Sequence, residues 1–220
     1  EVVFYTRQAK QMGYDAGQLI PPYYWKPDEE EVLLHYQLAA EEGLPLVVYH
    51  NPALSKFYMK RKFFAKLASI PGVIAVKEVK TDRHIELEPL FNAMPKDIKI
   101  FTTFRAFSTG LMLGSSGGFI NAFSVPACIT MWRLWQRIQI DNLGAWQYYW
   151  KKIEKIQNML NVVFPRGGED NEKHIGTTKM AVSLVTGIEM GPPRLPYLLP
   201  AEYVQKEMKE KLPQLIELLK

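Results

Sequence analysis

Five short apolar segments recur along the first half of the chain, and their spacing limits the possible folds more than any other feature. The segments are 16–20, 45–49, 73–77, 98–102 and 118–121, and three of the four intervals between their centres measure 25 to 29 residues. Most are followed by a stretch with helical periodicity. One such stretch begins at Asp28, a residue type favoured at helix N-caps. The alternation predicts a parallel β-sheet covered by helices.

The same segments indicate which parallel-sheet architecture to expect. Near-continuous apolar runs such as LVVY and VIAV are typical of strands buried on both faces. No GxGxxG follows the first segment, so a dinucleotide-binding sheet is not favoured over a closed barrel. Barrel enzymes carry their chemistry at the carboxyl ends of the strands. Unusual polar residues stand at these ends here: Tyr49, Asn51, Lys77, Thr102 and Asn121. We therefore predict an α/β fold of the (β/α)₈ TIM-barrel type.

The predicted strands account for five of the eight βα units of such a barrel. Residues 139–220 are mainly helical in pattern, with stretches at 142–160, 173–186 and 201–219. The expected organisation is a partial, catalytic barrel over 1–138 and a helical extension over 139–220. The chain begins at Glu1 and not at a methionine. At about 30 residues per βα unit, roughly 80 to 90 residues are expected upstream.

Composition limits the setting in which the protein works. Apolar residues make up 47% of the chain, and its 27 basic residues are interspersed with 23 acidic ones, so a nucleic-acid partner is not expected. There is no apolar run of 18 residues and no signal-peptide pattern at the start, and Cys128 is the single cysteine. A cytoplasmic protein without membrane contact or disulfides is the expectation. The four histidines lack metal-site spacing, so no metal is expected.

Lys77 is the leading candidate for a catalytic group. It ends the run VIAVK and shares a strand face with Ala75 and Val73, which points into the barrel if the fold prediction holds. Burial disfavours the charged form of an amine, and a neutral amine is what attack on a ketone requires. The alternative is a lysine whose amine extends from the strand end into solvent.

Tyr49 ends the preceding strand at the matching height. Neighbouring parallel strands lie about 4.8 Å apart, so an inward phenol would approach the Lys77 amine. A phenol at that place can carry protons during imine formation and bond cleavage. The alternative is a core tyrosine whose hydroxyl binds the backbone.

Two stretches carry a resemblance to a known family. PPYYWKPDEEEVLLHYQLAAEEGLPLVVYHNP, followed about 20 residues later by IPGVIAVKE, resembles the dihydrodipicolinate synthase/N-acetylneuraminate lyase family. The resemblance implies a class I aldolase that binds pyruvate or a related 2-keto acid as a lysine Schiff base and combines it with, or releases, an aldehyde. It also implies a homotetramer or dimer and no cofactor beyond the covalent lysine imine.

Matched by motif, the resemblance assigns roles to individual residues. Lys77 corresponds to the Schiff-base lysine and Tyr49 to the proton-relaying tyrosine. Tyr24, in the pair with Tyr23, corresponds to the ring that reaches into a neighbouring subunit's site. Ile120, beside Asn121 at a strand end, corresponds to a residue that lines the site. The resemblance places the loop that holds the pyruvate carboxylate upstream of Glu1.

The branch of the family is less clearly marked. No arginine follows the Tyr-x-x-Pro motif before Arg61, which counts against a synthase. Tyr49-x-Asn51-Pro52, the FPRG at 164–167 and GPPRLPY are similar to hydratase-aldolases, and this likeness makes Asn51 a substrate-binding residue. Ile120 stands where those enzymes carry a tryptophan. A synthase-like enzyme, a sugar-acid lyase or dehydratase, and a non-catalytic barrel with a binding or assembly role remain alternatives.

Three further polar residues lie close to the candidate site. His50 points to the strand face opposite Tyr49, so packing or a loop contact is expected of it. Glu78 and Asp82 follow Lys77, and we expect them to tether a loop or cap the next helix.

Overall fold

The computed structural model describes residues 1–79, 84–140, 143–163 and 174–219. The chain folds into two compact units, Glu1–Phe119 and Ile120–Lys220. The predicted boundary between barrel and extension at residue 138 concerns domain organisation and stays a prediction.

The first unit contains a five-stranded sheet. Its strands run parallel, and their spatial order follows their order in the chain: β1 (Gly17–Leu19), β2 (Leu46–His50), β3 (Val73–Glu78), β4 (Lys99–Thr103) and β5 (Gly117–Phe119). All five predicted strands are therefore confirmed, with ends that differ from the prediction by one or two residues. Because the strands are parallel, their carboxyl ends all meet at one edge of the sheet.

Helices connect these strands and cover the sheet. They are α1 (Val2–Gln11), α2 (Glu29–Ala40), α3 (Pro52–Ser55), α4 (Arg61–Ala68), α5 (His84–Ala93) and α6 (Phe107–Leu113), with a 3₁₀ turn at Phe104–Ala106. The predicted cap of α2 is present as a capping box. The Asp28 side chain accepts from the Glu31 backbone N–H at 2.9 Å, and the Glu31 carboxylate accepts from the Asp28 N–H at 2.8 Å. These bonds satisfy two N–H groups that a helix start leaves without partners.

The two faces of the sheet differ in their surroundings. Leu46 and Val48 of β2, Val76 of β3 and Ile100 of β4 belong to the buried core cluster. They are joined there by apolar residues of the covering helices, among them Val32, Tyr36, Phe63, Phe64, Leu67 and Leu90. Tyr49 and Lys77 lie on the other face and are partly buried. Val73 was predicted to share that face, but it belongs to the core cluster because the β2–β3 register shifts between Leu46 and Val47. The core therefore holds the strands from one side and presents Tyr49 and Lys77 on the other.

The second unit is helical. It contains a 3₁₀ turn at Ala122–Ser124, α7 (Val125–Ile140), α8 (Leu143–Val163), α9 (His174–Thr186) and α10 (Glu202–Leu219). Its buried side chains include Met131, Ile153, Ile156, Leu160, Met208 and Leu212. Trp146 and Trp150 stack on α8 with ring centroids 5.9 Å apart. None of the helices in the described parts of the chain combines the length and apolar character that crossing a membrane requires.

Candidate functional site

Tyr49 and Lys77 form the centre of the candidate site. They are direct partners in the register between β2 and β3, at the carboxyl ends of both strands. The Lys77 Nζ atom lies 4.0 Å from the centroid of the Tyr49 ring, a cation–π contact. The predicted approach of the phenol ring to the amine is therefore present in the fold.

A second aromatic ring contacts the same amine. Lys77 Nζ lies 4.9 Å from the centroid of Phe119, the last residue of β5. Phe119 in turn packs edge-on against Phe101, the β4 residue paired with Lys77, with ring centroids 5.3 Å apart. The sequence analysis missed both phenylalanines. The signal available for Phe101 was its position two residues before the end of β4, on the same strand face as Lys77.

Asn51 holds the hydroxyl group of Tyr49. Its Nδ2 atom donates to the Tyr49 Oη atom at 2.9 Å. Because the phenol oxygen accepts this bond, its own proton points elsewhere and remains available for donation. The geometry thus gives Asn51 a contact within the site, through Tyr49.

The loop that carries Asn51 is held by its own hydrogen bonds. Ser55 is fully buried, and its hydroxyl donates to the Asn51 carbonyl oxygen at 3.1 Å and accepts from the Phe57 N–H at 3.3 Å. Lys56 ends α3 with φ of 57°, and the chain then buries Phe57 and Met59 in the core cluster. Asn51 therefore extends from an ordered segment.

The opposite face of the same two strand ends carries a buried polar pair. His50 and Glu78, partners in the β2–β3 register, lie 2.6 Å apart between Nδ1 and Oε2. His50 Nε2 accepts from the backbone N–H of Met59 at 3.1 Å. The expected loop contact of His50 is confirmed, while the Glu78 carboxylate binds His50. Asp82 lies outside the described residues.

The other predicted site residues are not brought to Lys77 by any described contact. Tyr24 is 82% exposed, and its ring packs edge-on against Trp25 at 5.8 Å. Ile120 and Asn121 directly follow β5 and belong to the second compact unit, so their part in the site stays a prediction. The FPRG segment at 164–167 lies outside the described residues.

Arg105 provides a further cation after the end of β4. It lies in the 3₁₀ turn at Phe104–Ala106 and is partly buried. Its guanidinium carbon is 4.9 Å from the centroid of the Phe104 ring, and burial lowers the pKa of the group. It follows the carboxyl end of β4, at the edge of the sheet that also carries Lys77.

A cavity of about 940 Å³ lies elsewhere, beside β1 and α1. It is lined mainly by apolar and aromatic side chains, among them Tyr5, Tyr23, Tyr24, Trp25 and His35, and neither Tyr49 nor Lys77 lines it. Burial lowers the pKa of His35, and its Nε2 atom has no hydrogen-bond partner among the described residues. We take Tyr49 and Lys77 as the candidate site, because an amine and a phenol meet there. Within the described ranges, no three His, Cys, Asp or Glu side chains cluster as a metal site requires.

A parallel, helix-covered sheet with its reactive groups at the carboxyl edge defines the class: a (β/α)₈ barrel, of which this chain contains five consecutive strands. A prophage protein of the dihydrodipicolinic acid synthase family from Escherichia coli K12, solved with pyruvate, matches with a TM-score of 0.76 and 20% identity. That match covers 97% of this chain and 70% of the other. A catalytic-lysine mutant of Ruminococcus gnavus sialic acid aldolase matches with a TM-score of 0.75 and 18% identity, covering 98% and 69%. The predicted fold class is confirmed.

The chain belongs to the dihydrodipicolinate synthetase family, whose model matches residues 1–217. It is 34% identical over 104 residues to 4-hydroxy-tetrahydrodipicolinate synthase of Oenococcus oeni, a match covering 46% of this chain and 35% of the synthase. It is 32% identical over 120 residues to N-acetylneuraminate lyase of Salmonella paratyphi B, covering 53% and 40%. These matches thus span less than half the length of either relative. The predicted family is confirmed, while the hydratase-aldolase branch stays a prediction.

Proposed function

We propose that this chain carries the Schiff-base chemistry of a class I aldolase, a lyase that cleaves or condenses a 2-keto acid such as pyruvate with an aldehyde. The observation that carries the proposal is the contact of Lys77 Nζ with the Tyr49 ring at adjacent strand ends. An amine beside a phenol supplies the nucleophile and the proton donor that imine formation needs.

The chemistry begins at the carbonyl carbon of the keto acid. The neutral Lys77 amine adds to that carbon and forms a carbinolamine, whose hydroxyl leaves as water to give an iminium ion. The iminium withdraws electrons from the adjacent carbon, which loses a proton to become an enamine. The enamine carbon then attacks an aldehyde, whose oxygen takes up a proton, and the iminium re-forms. Water hydrolyses this iminium, which releases the product and restores the Lys77 amine, and the reverse sequence cleaves the product. The lysine imine accepts the electrons, so the proposed reaction needs no separate cofactor.

Tyr49 supplies the proton that the departing oxygen requires. Its phenol oxygen accepts from Asn51 Nδ2 at 2.9 Å, which orients the ring and directs the O–H away from Asn51. The proton released when the imine forms its enamine can return to the same oxygen. In this proposal Tyr49 is a catalytic residue, and Asn51 is its positioning residue and a contact for the substrate.

The remaining site residues complete the proposal. The partly buried Arg105 is suited to a substrate carboxylate because it lies at the same sheet edge as Lys77. Ile120 and Asn121 are proposed to line the substrate site from the end of β5. Tyr24, with 82% of its surface exposed, is proposed to reach the site of a second subunit in a cytoplasmic homo-oligomer.

Exchange of the pyruvate methyl protons in D₂O tests this proposal without knowledge of the aldehyde. Enamine formation removes a methyl proton and reprotonation adds deuterium, so the ¹H NMR methyl signal of pyruvate decays. We expect exchange with the wild-type chain, none above background with Lys77→Ala, and about 100-fold slower exchange with Tyr49→Phe. Lys99→Ala, which removes an exposed lysine from the start of β4, is the matched control and should exchange normally.

Two results would count against the proposal. Exchange that persists in Lys77→Ala would place the amine elsewhere. A folded wild-type chain that exchanges no faster than free lysine would favour the alternative of a non-catalytic barrel. If the wild-type chain does exchange the pyruvate protons, the aldehydes used by synthases and by sialic acid lyases are supplied next. Their consumption would distinguish condensation from cleavage.

A further inference from the structure

The buried pair formed by His50 and Glu78 lies on the reverse side of the strand ends that carry Tyr49 and Lys77. Both residues are almost completely buried, at 2% and 3% exposure, and their side chains meet at 2.6 Å. The proposed reaction uses neither group directly, because each points to the helix-covered face of the sheet.

The hydrogen bonds of His50 select its tautomer. Its Nε2 atom accepts from the Met59 backbone N–H at 3.1 Å, so Nε2 carries no proton. The proton of the neutral ring is therefore on Nδ1, where it is donated to the Glu78 carboxylate at 2.6 Å. The ring also packs edge-on against Phe64 with centroids 5.2 Å apart, so its orientation is fixed from a third direction.

This arrangement joins the segments on which the proposed site depends. His50 is covalently between Tyr49 and Asn51, and Glu78 directly follows Lys77. A backbone hydrogen bond from Val79 N–H to the His50 carbonyl, at 3.2 Å, adds a second link between the same strand ends. Neighbouring residues of one strand share a backbone. A bond that fixes His50 against Glu78 therefore also fixes the positions of Tyr49 and Lys77 relative to each other along the two strands.

Stability alone is a weak explanation for a polar pair at this place. Val48 and Val76, the preceding register pair on the same sheet face, are both apolar and fully buried. Replacing both partners of a buried hydrogen bond with apolar residues of similar shape is often nearly neutral for stability. The sheet therefore accommodates an apolar pair on this face, while hydrogen bonds add the directional constraint that apolar contacts lack.

We propose that His50 and Glu78 form a positioning pair that sets the geometry between the Tyr49 phenol and the Lys77 amine. Through the bond from the Met59 N–H to His50 Nε2, the pair also holds the far end of the loop that begins at Asn51. This inference rests on the proposed function, since Lys77 and Tyr49 are taken as its nucleophile and proton donor. His50 and Glu78 act through their neighbours and contact no substrate.

The test compares the wild-type chain with the double variant His50→Leu/Glu78→Leu. The double replacement removes the directional bonds without leaving one member of the pair buried alone. We expect a folded protein that forms the pyruvate imine, trapped with borohydride, about ten- to 100-fold more slowly. The pyruvate concentration for half-maximal trapping should change less than about three-fold, because the pair contacts no substrate. Val48→Ala, a cavity variant on the same face, is the control for general loosening and should trap at the wild-type rate.

A second readout asks whether the effect passes through Tyr49. Tyr49→Phe is expected to slow trapping about 100-fold in the wild-type background but only about ten-fold in the double variant, since a misplaced phenol contributes less. Equal effects of Tyr49→Phe in both backgrounds, or wild-type trapping by the folded double variant, would overturn the proposal.

Two further variants and a labelling assay test the role of the pair if the double variant does not fold or if the wild-type chain traps no pyruvate. If the double variant does not fold, two single variants are compared. Glu78→Gln retains a carbonyl acceptor for the His50 proton, and its rate of imine trapping should stay within about three-fold of wild type. The rate of Glu78→Leu should fall by more than that. If the wild-type chain traps no pyruvate, the proposed function fails separately. The effect of the pair on Lys77 is then measured with trace acetic anhydride. The acetylation rate of Lys77, relative to that of the exposed Lys99, is compared between the wild-type chain and the folded variants. A Lys77 rate that is unchanged in the folded variants would refute the inference.

Discussion

Replacing Tyr36 with phenylalanine removes one oxygen atom from the centre of the first compact unit. The side chain is fully buried on α2, and its hydroxyl donates to the Leu19 carbonyl at the end of β1 at 2.7 Å. This hydrogen bond, worth about 1 kcal/mol, is lost, so the free energy of unfolding should fall by about 1 kcal/mol. This corresponds to about a five-fold change in the unfolding equilibrium.

Urea unfolding measures this loss. We expect a lower midpoint for Tyr36→Phe with an unchanged m-value, because the surface exposed on unfolding stays the same. Tyr5→Phe is the matched control: its ring is 67% exposed on α1, and its stability should stay within about 0.5 kcal/mol of wild type. Equal midpoints for the two variants would refute the idea that the Tyr36 hydroxyl ties α2 to the end of β1.

Three further predictions concern stability. Gly176→Ala places a Cβ atom 2.2 Å from the Leu198 carbonyl oxygen, and thermal unfolding should reveal a loss of about 2 to 3 kcal/mol; an unchanged midpoint would contradict this packing. Asp28→Ala removes the cap of α2 and should cost about 1 kcal/mol in urea unfolding, whereas Asp28→Asn should cost less than half of that. Burial lowers the pKa of His35, so the unfolded chain binds a proton that the folded chain does not. Stability should therefore fall as the pH drops below about 6.5, and His35→Gln should flatten that slope.

Much of the first unit could be predicted because its signals are local. Apolar runs at the spacing of βα units predicted all five strands, and Asp28 predicted the start of α2. The approach of Tyr49 to Lys77 was also predictable. Parallel strands that end at the same edge of a sheet bring their last inward side chains to matching heights.

The contacts that the sequence did not predict depend on register and side-chain direction. The fifth strand was expected at 118–121 and lies at Gly117–Phe119, so Phe119 and not Asn121 is its last residue. The contact of Phe119 with Lys77 depends on how β5 pairs with β4, and the sequence pattern does not predict that register. The bond from Asn51 to Tyr49 depends on how the loop after β2 turns, and Lys56 in that loop has a left-handed backbone conformation that its residue type does not suggest.

The pairing of His50 with Glu78 could not be predicted from the sequence for a different reason. His50 was correctly assigned to the face opposite the candidate site, whereas Glu78 was expected to tether a loop or cap the next helix. The pattern does not reveal which of several acidic residues completes a buried contact. The 2.6 Å bond appears only once the register between β2 and β3 is known.

The proposed function requires that the amine of Lys77 forms a covalent imine with a 2-keto acid. Borohydride reduction of the chain in the presence of pyruvate, followed by intact-mass measurement and peptide mapping, tests this directly, with Lys99→Ala as the control for reaction at other lysines. We expect a single reduced pyruvate adduct on the peptide that contains Lys77, present in the control and lost in Lys77→Ala. An adduct on another lysine, or none on the folded wild-type chain, would refute the proposal.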